Sequence, residues 1–211
     1  MIWESVIGWL TAPALEAFGI STTWAELLGF ATGLLNVFLL VRLHILNWPV
    51  GILNVLLLMV VFWQYGLYAD AGLQFVYVVL GGYGWWLWKY GDDRGAELVV
   101  RDTTWREWIG LTLAGAALTA ALWLFLDRLT GSTVPLADAI TTALSLTATY
   151  GQTRKLVQSW WLWIVADLIY IPLYAYKELW LTALLYIAFL TLCVFGLHTW
   201  RSVRREAVTV R

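Results

Sequence analysis

The part of this chain best suited to chemistry is a run of aromatic residues with one carboxylate inside an apolar segment. Between positions 160 and 176, five side chains follow one another at steps of three, four, three and four: Trp160, Trp163, Asp167, Tyr170 and Tyr174. Steps of that size place side chains on one face of a helix. Most of the other positions are Leu, Ile, Val or Ala. We therefore predict an apolar helix with a single aromatic and acidic stripe.

The stripe suits a flat cation. A carboxylate within an apolar span costs roughly 2.5–3.5 kcal/mol on insertion scales, so Asp167 is expected to be functional or paired. Tryptophan faces such as those of Trp160 and Trp163 attract cations within about 6 Å, more strongly when water is excluded. These residue types fit a pyridinium, a thiazolium or a quaternary amine equally well. In the alternative interpretation, Asp167 is neutral or bonds a neighbouring helix and only orders the bundle.

The composition is that of a membrane protein. Of 211 residues, 61% are hydrophobic and 13% are charged, and mean hydropathy is +0.73. Soluble domains carry about a quarter charged residues. The apolar runs are continuous, unlike the alternating strands of a β-barrel. We predict an all-α polytopic membrane protein with one membrane domain, residues 1–211. A net charge of −1 argues against a nucleic-acid partner.

Seven apolar segments are long enough to be transmembrane helices. The sequence predicts a short interfacial helix before them, in the first twenty residues, and a solvated linker from Gly91 to Arg106. All but two of the 13 Lys and Arg residues fall on one side of the seven spans, which places the N-terminus outside and the C-terminus in the cytoplasm. The predicted spans are 25–42, 48–65, 72–90, 107–126, 136–152, 160–176 and 179–199.

The two ends of the chain align with each other after a shift of 112 positions. Two three-helix repeats, 25–90 and 136–199, then flank a linker helix at 107–126. This 3+1+3 order gives both repeats the same orientation, and substrate sites in such proteins lie near the midplane between the repeats. The most informative matches pair Arg42 with Arg154, Trp48 with Trp160, Gly84 with Gly196 and Trp88 with Trp200.

The polar stripe is not duplicated, as expected for an asymmetric ligand. Val55 aligns with Asp167, and Gln74 aligns with Tyr186. In the first half Asn36, Asn54, Gln64 and Gln74 are candidate polar partners, although each could instead form an interhelical hydrogen bond of about 0.6 kcal/mol. The predicted substrate-binding residues are Trp160, Trp163, Asp167, Tyr170, Gln74, Asn54, Tyr186 and Trp48.

Several motifs in matching order resemble the PnuC-type nicotinamide riboside transporters and their vitamin-transporting relatives, over nearly the whole chain. In the first half they are NWPVGI at 47–52, GLYAD at 66–70 followed by Leu73-Gln74, and YGWWLW at 83–88. In the second half they are TRK at 153–155, Trp160-x-x-Trp163, YAYKEL at 174–179 and Leu185-Tyr186.

The resemblance implies a fold like that of the SWEET sugar transporters but with a different helix order, a homotrimer, and a bacterial cytoplasmic membrane. It also implies facilitated diffusion, with the substrate trapped by a cytoplasmic kinase. Trp160, Trp163 and Gln74 would line the substrate site. Gln158, where the family commonly has Glu, and the unusual segment 148–152 could mark a carrier of thiamine, riboflavin or a nucleoside. Thiamine is the main alternative because its ring is also cationic.

Two other classes of protein compete with a transporter. An integral-membrane enzyme would need a metal cluster or an acid–base pair. The chain has no H-x-x-x-H motif, and His44 and His198 stand alone near helix ends. A purely structural membrane protein would leave the stripe without a purpose. We therefore predict no catalytic residue, no metal and no cofactor.

Overall fold

A computed structural model describes residues 2–17, 20–64, 68–91, 95–129, 134–176 and 180–209. This part of the chain contains eight helices and one antiparallel pair of short strands. The helices are α1 Ile2–Leu10, α2 Trp24–Val41, α3 Asn47–Gln64, α4 Tyr68–Tyr90, α5 Trp105–Leu129, α6 Pro135–Thr153, α7 Ser159–Tyr176 and α8 Trp180–Thr209. The strands are β1 Pro13–Ala17 and β2 Ile20–Thr23.

Helices α2 to α8 coincide with the seven predicted apolar segments, and the all-helical class is confirmed. The largest difference is at the end of α8, which continues through basic residues to Thr209. The prediction for the first twenty residues was incomplete. Helix α1 is followed by the β1–β2 hairpin, which begins at Pro13, a residue that cannot continue a helix.

Thr23 sets the start of α2. Its hydroxyl accepts the Glu26 backbone N–H at 3.3 Å, and the Glu26 carboxylate accepts the Thr23 backbone N–H at 2.8 Å. This reciprocal pair is a capping box, which satisfies two otherwise unpaired donors at a helix end. The chain therefore changes from strand to helix at Thr23 because of this local capping interaction.

Four described helices are long and apolar enough to cross a membrane: α2, α3, α5 and the Thr182–Ala207 part of α8. Helices α4, α6 and α7 are richer in Tyr, Trp and Thr, which are less apolar than Leu or Ile. The chain is thus a multi-pass membrane protein. The count of seven crossings stays a prediction.

The chain divides into two compact units, Met1–Lys89 and Tyr90–Arg211. In unit 1, α2 packs along α3. The Asn54 amide on α3 joins them, because its Nδ2 donates to the Gly29 carbonyl oxygen at 2.6 Å and to Thr32 Oγ1 at 3.1 Å. In unit 2, α5 packs along α6, α6 along α7, and α7 along α8.

Each unit contains the same tryptophan packing. Trp48 meets Trp88 edge to face with ring centroids 5.4 Å apart, and Trp160 meets Trp200 in the same way at 5.4 Å. Each ring lies directly over a glycine on the next helix. A Cβ atom on Gly84 would come within 2.3 Å of Trp48, and one on Gly196 within 2.5 Å of Trp160.

The turn after α2 and the turn after α6 also share their backbone bonds. His44 N–H donates to the Leu39 carbonyl at 2.9 Å, and Leu156 N–H donates to the Gly151 carbonyl at 2.9 Å. These pairs lie 112 positions apart. Leu43 and Lys155, also 112 apart, are the two described non-glycine residues with positive φ, at 55° and 52°.

A segment that we call the strap, residues 98–104, is bound to the α6–α7 turn. Arg101 N–H donates to the Lys155 carbonyl at 3.2 Å, and Val157 N–H donates to the Arg101 carbonyl at 3.0 Å. Lys155 Nζ donates to the Leu98 carbonyl at 2.8 Å. Burial lowers the pKa of the Lys155 ammonium, which the Glu97 carboxylate opposes. The prediction of a solvated linker was therefore wrong for this segment.

Polar side chains fasten the strap further. Gln158 Oε1 accepts the Thr103 backbone N–H at 2.8 Å, and Gln158 Nε2 donates to the Asp102 carboxylate at 2.9 Å. Arg204 of α8 forms an ion pair with the other oxygen of that carboxylate. The Gln158 amide both donates and accepts here, which an ionised glutamate could not do.

Candidate substrate site

The stripe predicted on α7 lies on one continuous helix, which runs past Pro172 to Tyr176. Its most buried members are Trp160 and Asp167, with exposed fractions of 0% and 2%. Trp163 and Tyr170 are half-buried. Trp161, which points away from the stripe, is 44% exposed and lies under the Arg201 guanidinium. Asp167 therefore faces the interior of unit 2.

The Asp167 carboxyl group is only partly satisfied. It is hydrogen-bonded to the Cys193 thiol of α8, which is a weak donor. Its Oδ2 atom is buried and has no hydrogen-bond partner among the described residues. Because an unpaired buried polar atom costs roughly 1–3 kcal/mol, this oxygen is a candidate ligand contact.

Trp163 has a matching feature one helical turn earlier. Its indole Nε1 is also buried and has no partner in the described part of the chain. Residues four apart lie side by side on a helix, with Cβ atoms about 5–6 Å apart. The side chains of Trp163 and Asp167, which carry an unpaired donor and an unpaired acceptor, thus lie on the same face of α7.

Tyr170 connects α7 to α6. Its hydroxyl is hydrogen-bonded to Thr141 and Ser145. The Thr141 hydroxyl donates to the Ala137 carbonyl at 2.9 Å, and the Ser145 hydroxyl donates to the Thr141 carbonyl at 2.7 Å. Each hydroxyl has one proton, so with the Thr141 and Ser145 protons on these carbonyls, the single Tyr170 proton is shared between the two hydroxyl oxygens. The Tyr170 oxygen can then only accept a further hydrogen bond.

Tyr170 also belongs to an aromatic cluster between α7 and α8. Its ring centroid lies 4.8 Å from that of Tyr186 and 5.6 Å from that of Tyr174. Tyr174 and Tyr186 are 5.0 Å apart, and Phe189 meets Tyr186 edge to face at 5.6 Å. The predicted residues Tyr170 and Tyr186 are therefore brought together, in a wall of flat rings near Asp167.

Trp160 and Trp48 belong to the predicted site but have the same packing position in the two units. Trp160 is fully buried under Gly196, and Trp48 is 6% exposed under Gly84. The Nε1 atoms of both are buried without a partner among the described residues. Because this arrangement occurs in both units, helix packing explains it as well as ligand binding does.

The other two predicted residues lie in unit 1. Gln74 on α4 is buried, with an exposed fraction of 7%. The Asn54 amide nitrogen is occupied by the α2–α3 hydrogen bonds described above. Asn54 therefore forms an interhelical hydrogen bond, which was the alternative to a role in substrate binding.

Sequence reasoning missed three residues that complete the site: Thr141, Ser145 and Cys193. A signal was present, because the 112-residue shift aligns Thr141 with Gly29 and Ser145 with Gly33. Hydroxyl groups that replace glycine in one repeat only mark a changed helix contact. Among the described residues, no group of three or more His, Cys, Asp or Glu side chains could hold a metal ion.

The comparison with protein families decides the class. The profile of the nicotinamide mononucleotide transporter family matches residues 23–202. The chain belongs to this transporter family. The resemblance to PnuC-type transporters that the sequence motifs indicated is thereby confirmed, and the protein is a transporter rather than an enzyme.

Individual relatives agree with the family match. The chain is 29% identical over 197 residues to the riboflavin/roseoflavin transporter RibM of Streptomyces davaonensis, covering 92% of both chains. It is 27% identical over 217 residues to the nicotinamide riboside transporter PnuC of Escherichia coli, covering 91% of both. Its fold is similar to the crystal structure of the vitamin B3 transporter PnuC, with a TM-score of 0.70 at 24% identity, over 87% of this chain and 83% of that one.

Proposed function

We propose that the protein carries nicotinamide riboside, or a flat vitamin of similar size, across the membrane, and that the α7 face of unit 2 binds it. The observation that carries the proposal is Asp167, a 2% exposed carboxyl group with one unpartnered oxygen inside an apolar unit. Intramembrane ionisable groups of this kind typically mark substrate paths.

The groups around Asp167 suit a positively charged ring. The half-buried Trp163 lies on the same side of α7 as Tyr170 and Tyr174, and Tyr186 of α8 packs against these two tyrosines. A cation over such aromatic faces is stabilised by about 2 kcal/mol or more when water is excluded. A pyridinium riboside would add hydroxyl groups that donate to Asp167 Oδ2 or to the Tyr170 oxygen.

Riboflavin is the second candidate. The observation that favours it is the 29% identity to the riboflavin/roseoflavin transporter RibM over 92% of both chains. A flavin ring would stack on the same aromatic wall without using a cation–π interaction. Thiamine is a third candidate for the same site, because its thiazolium ring is cationic.

We propose transport by facilitated diffusion, with the cargo trapped by metabolism inside the cell. Ion-driven carriers use intramembrane carboxylates that titrate or bind sodium. In the described helices, Asp167 is the carboxylate that lies far from a helix end, since Glu26, Asp70, Asp127 and Asp138 lie near ends. A single carboxylate that also faces the ligand suits a uniporter.

The proposed architecture is a 3+1+3 arrangement of seven spans in a bacterial cytoplasmic membrane, with the N-terminus outside, the C-terminus inside, and three copies in the assembly. The recurring turns and Trp–Gly contacts at positions 112 apart support two equivalent three-helix repeats. The distribution of Lys and Arg supports the orientation.

A binding titration tests the proposed cargo. Purified protein is titrated with nicotinamide riboside, riboflavin and thiamine in parallel, and quenching of tryptophan fluorescence is measured. We expect saturable quenching by at least one vitamin, which is lost in Trp163→Ala and retained in Trp161→Phe, the matched control on the exposed face. Saturation by none of the three would reject the proposal.

Transport mode is tested separately in proteoliposomes. We expect labelled vitamin to equilibrate across the membrane and to show no accumulation when a pH or sodium gradient is applied. Accumulation above the external concentration would reject facilitated diffusion and would leave the binding site unaffected.

A further inference from the structure

Helix α8 is longer than a membrane span and becomes basic near its end. Its 30 residues extend about 45 Å, whereas the hydrocarbon core of a bilayer is about 30 Å thick. Because about 20 residues cross that core, a span that starts at Trp180 leaves it close to Thr199. Arg201 and Arg205 therefore lie where the lipid headgroups begin, one turn apart on the same face of the helix.

The arginine nearest this boundary is held in place by an aromatic ring. The Arg201 guanidinium lies 5.5 Å from the centre of the Trp161 ring. Trp161 is 44% exposed, on the face of α7 that points away from the predicted stripe. Tryptophan at this depth is typical of membrane–water interfaces. Arg201 and Arg205 have no carboxylate partner among the described residues, so their guanidinium groups are available to an external anion.

Exposed apolar rows run from this contact toward the middle of the membrane. Helices α7 and α8 pack along each other, and the spacing of three and four residues keeps each row on the face that ends at Trp161 or Arg201. A hydrocarbon chain laid over these rows would have its polar end at Arg201. The rows are Val165 and Leu168 on α7, 43% and 54% exposed, and Val194, Ile187 and Leu184 on α8, 40%, 46% and 62% exposed.

The equivalent face of unit 1 lacks this arrangement. At the positions 112 residues earlier, Pro49 replaces Trp161 and Lys89 replaces Arg201. The second arginine is replaced by Asp93, whose charge is opposite. The contact between tryptophan and arginine is therefore a feature of unit 2 that the shared packing of the repeats does not require.

We propose that Trp161, Arg201 and Arg205 bind the phosphate of an anionic phospholipid in the cytoplasmic leaflet, with its acyl chains along the exposed rows of α7 and α8. Arginine binds phosphate through two parallel N–H groups. The cytoplasmic leaflet carries the negative lipids that attract basic residues at the ends of spans. The inference uses the proposed orientation of the spans, and it goes beyond the proposed function because it assigns a second ligand to the opposite face of α7.

Lipid competition in detergent tests the proposal without any vitamin. Phosphatidylglycerol and phosphatidylcholine with identical acyl chains are offered at equal concentration, and native mass spectrometry measures how much of each stays bound. An arginine near a charged lipid changes its affinity about fivefold, so the preference for phosphatidylglycerol should fall about fivefold in Arg201→Gln. Lys89→Gln is the matched control in unit 1 and should keep the wild-type preference. The same preference in wild type and Arg201→Gln, or an equal loss in both variants, would overturn the proposal.

Two further variants keep the test decisive if Arg201→Gln is unstable. Arg205→Gln changes an exposed side chain and should also lower the preference about fivefold. Trp161→Leu keeps both charges but no longer holds the Arg201 guanidinium, so a loss of about two- to fivefold is expected. Wild-type preference in both variants would contradict the assignment.

Two other occupants of this face give different results. Inorganic phosphate in large excess should leave phosphatidylglycerol bound, because it has no acyl chains to cover the apolar rows. Full displacement by phosphate would mean a simple anion site and would reject the lipid. If a second copy of the chain covers this face, Arg201→Gln should change the number of copies in the same mass spectra and leave the bound lipid unchanged, which would also reject the lipid site.

Discussion

The helix contact between α2 and α3 in unit 1 and that between α6 and α7 in unit 2 use the same geometry with different chemistry. In unit 1, Gly29 on α2 meets Leu58 on α3, with 3.4 Å between a Cβ built on the glycine and the leucine side chain. At the equivalent positions of unit 2, the Thr141 hydroxyl bonds to Tyr170. At this pair of positions, the apolar contact of unit 1 is replaced by hydrogen bonds in unit 2.

The difference separates what the fold needs from what the function needs. Both units keep the turn hydrogen bonds, the residue with positive φ and the Trp–Gly contact. They differ at the positions of Thr141, Ser145, Trp163, Asp167 and Tyr170, where unit 1 has glycine, leucine or valine. Since unit 1 packs without these polar groups, unit 2 has them for another reason, and binding a ligand is the reason we propose.

The largest expected effect comes from giving unit 2 the side chain of unit 1. Asp167→Val should reduce vitamin uptake at least 100-fold, because the carboxylate contact is lost, while the protein keeps its thermal stability. Uptake is measured in cells, and folding by thermal unfolding in detergent. In the reverse exchange, Val55→Asp should leave binding intact and destabilise the protein by roughly 2.5–3.5 kcal/mol. Normal uptake in Asp167→Val would show that the two units do not differ in function.

Effects on stability should be similar in the two units where the packing is shared. Gly84→Ala and Gly196→Ala would each place a methyl group within 2.5 Å of a tryptophan ring, and overpacking of this kind costs about 1–3 kcal/mol. We expect comparable decreases in the unfolding midpoint for both variants. Gly82→Ala, where a Cβ meets nothing within 4 Å, is the control. A loss in only one variant would contradict the equivalence of the units.

A smaller effect is expected where the two units use different interhelical hydrogen bonds. Tyr170→Phe removes the hydroxyl that bonds Thr141 and Ser145, and should cost about 0.5–1.5 kcal/mol of unfolding free energy. In unit 1, Asn54→Ala should cost about 0.6 kcal/mol, the typical value for an interhelical bond in a membrane. Equilibrium unfolding of both variants in mixed micelles measures the difference. A stabilised Tyr170→Phe variant would argue that the cluster is strained for ligand binding.

The smallest effect concerns the strap, which binds the turn of unit 2. Gln158→Glu removes the donor to Asp102 and places two carboxylates together, so we expect a loss of about 0.2–1 kcal/mol, the range for exposed charge pairs. Protonation of the introduced carboxylate removes the repulsion and restores a donor, so the loss should disappear at acidic pH. The loss is measured by hydrogen exchange of the strap amides. Exchange in Gln158→Glu is compared with exchange in Gln158→Met, once at pH 7 and once at pH 4. A pH-independent loss would mean that the repulsion is absent.

Much of the fold could be predicted from the sequence, because long apolar runs between charged or glycine-containing turns leave few alternatives. Helices α2 to α8 follow from these runs. The strap could not be predicted in this way. Residues 98–104 have no hydrophobic period, and they pair with a turn more than 50 positions later through backbone bonds that side-chain patterns do not record.

The candidate site was predictable only along one helix. The spacing of Trp163, Asp167 and Tyr170 identifies a common face of α7, but spacing on one helix does not identify the residues opposite it. Cys193 and Ser145 lie across helix contacts, where partners depend on packing. The role of Asn54 likewise depends on which residue of α2 lies opposite, and only the structure shows Gly29 and Thr32 there.

The paired Trp–Gly contacts have a consequence for engineering. Because Trp48 over Gly84 and Trp160 over Gly196 hold each unit at one end, the middle of each helix contact can be varied with little risk to assembly. A mutant library confined to 141, 145, 163, 167 and 170 would sample new cargo ranges on an intact scaffold. The residues at the equivalent positions of unit 1 are the safest first substitutions.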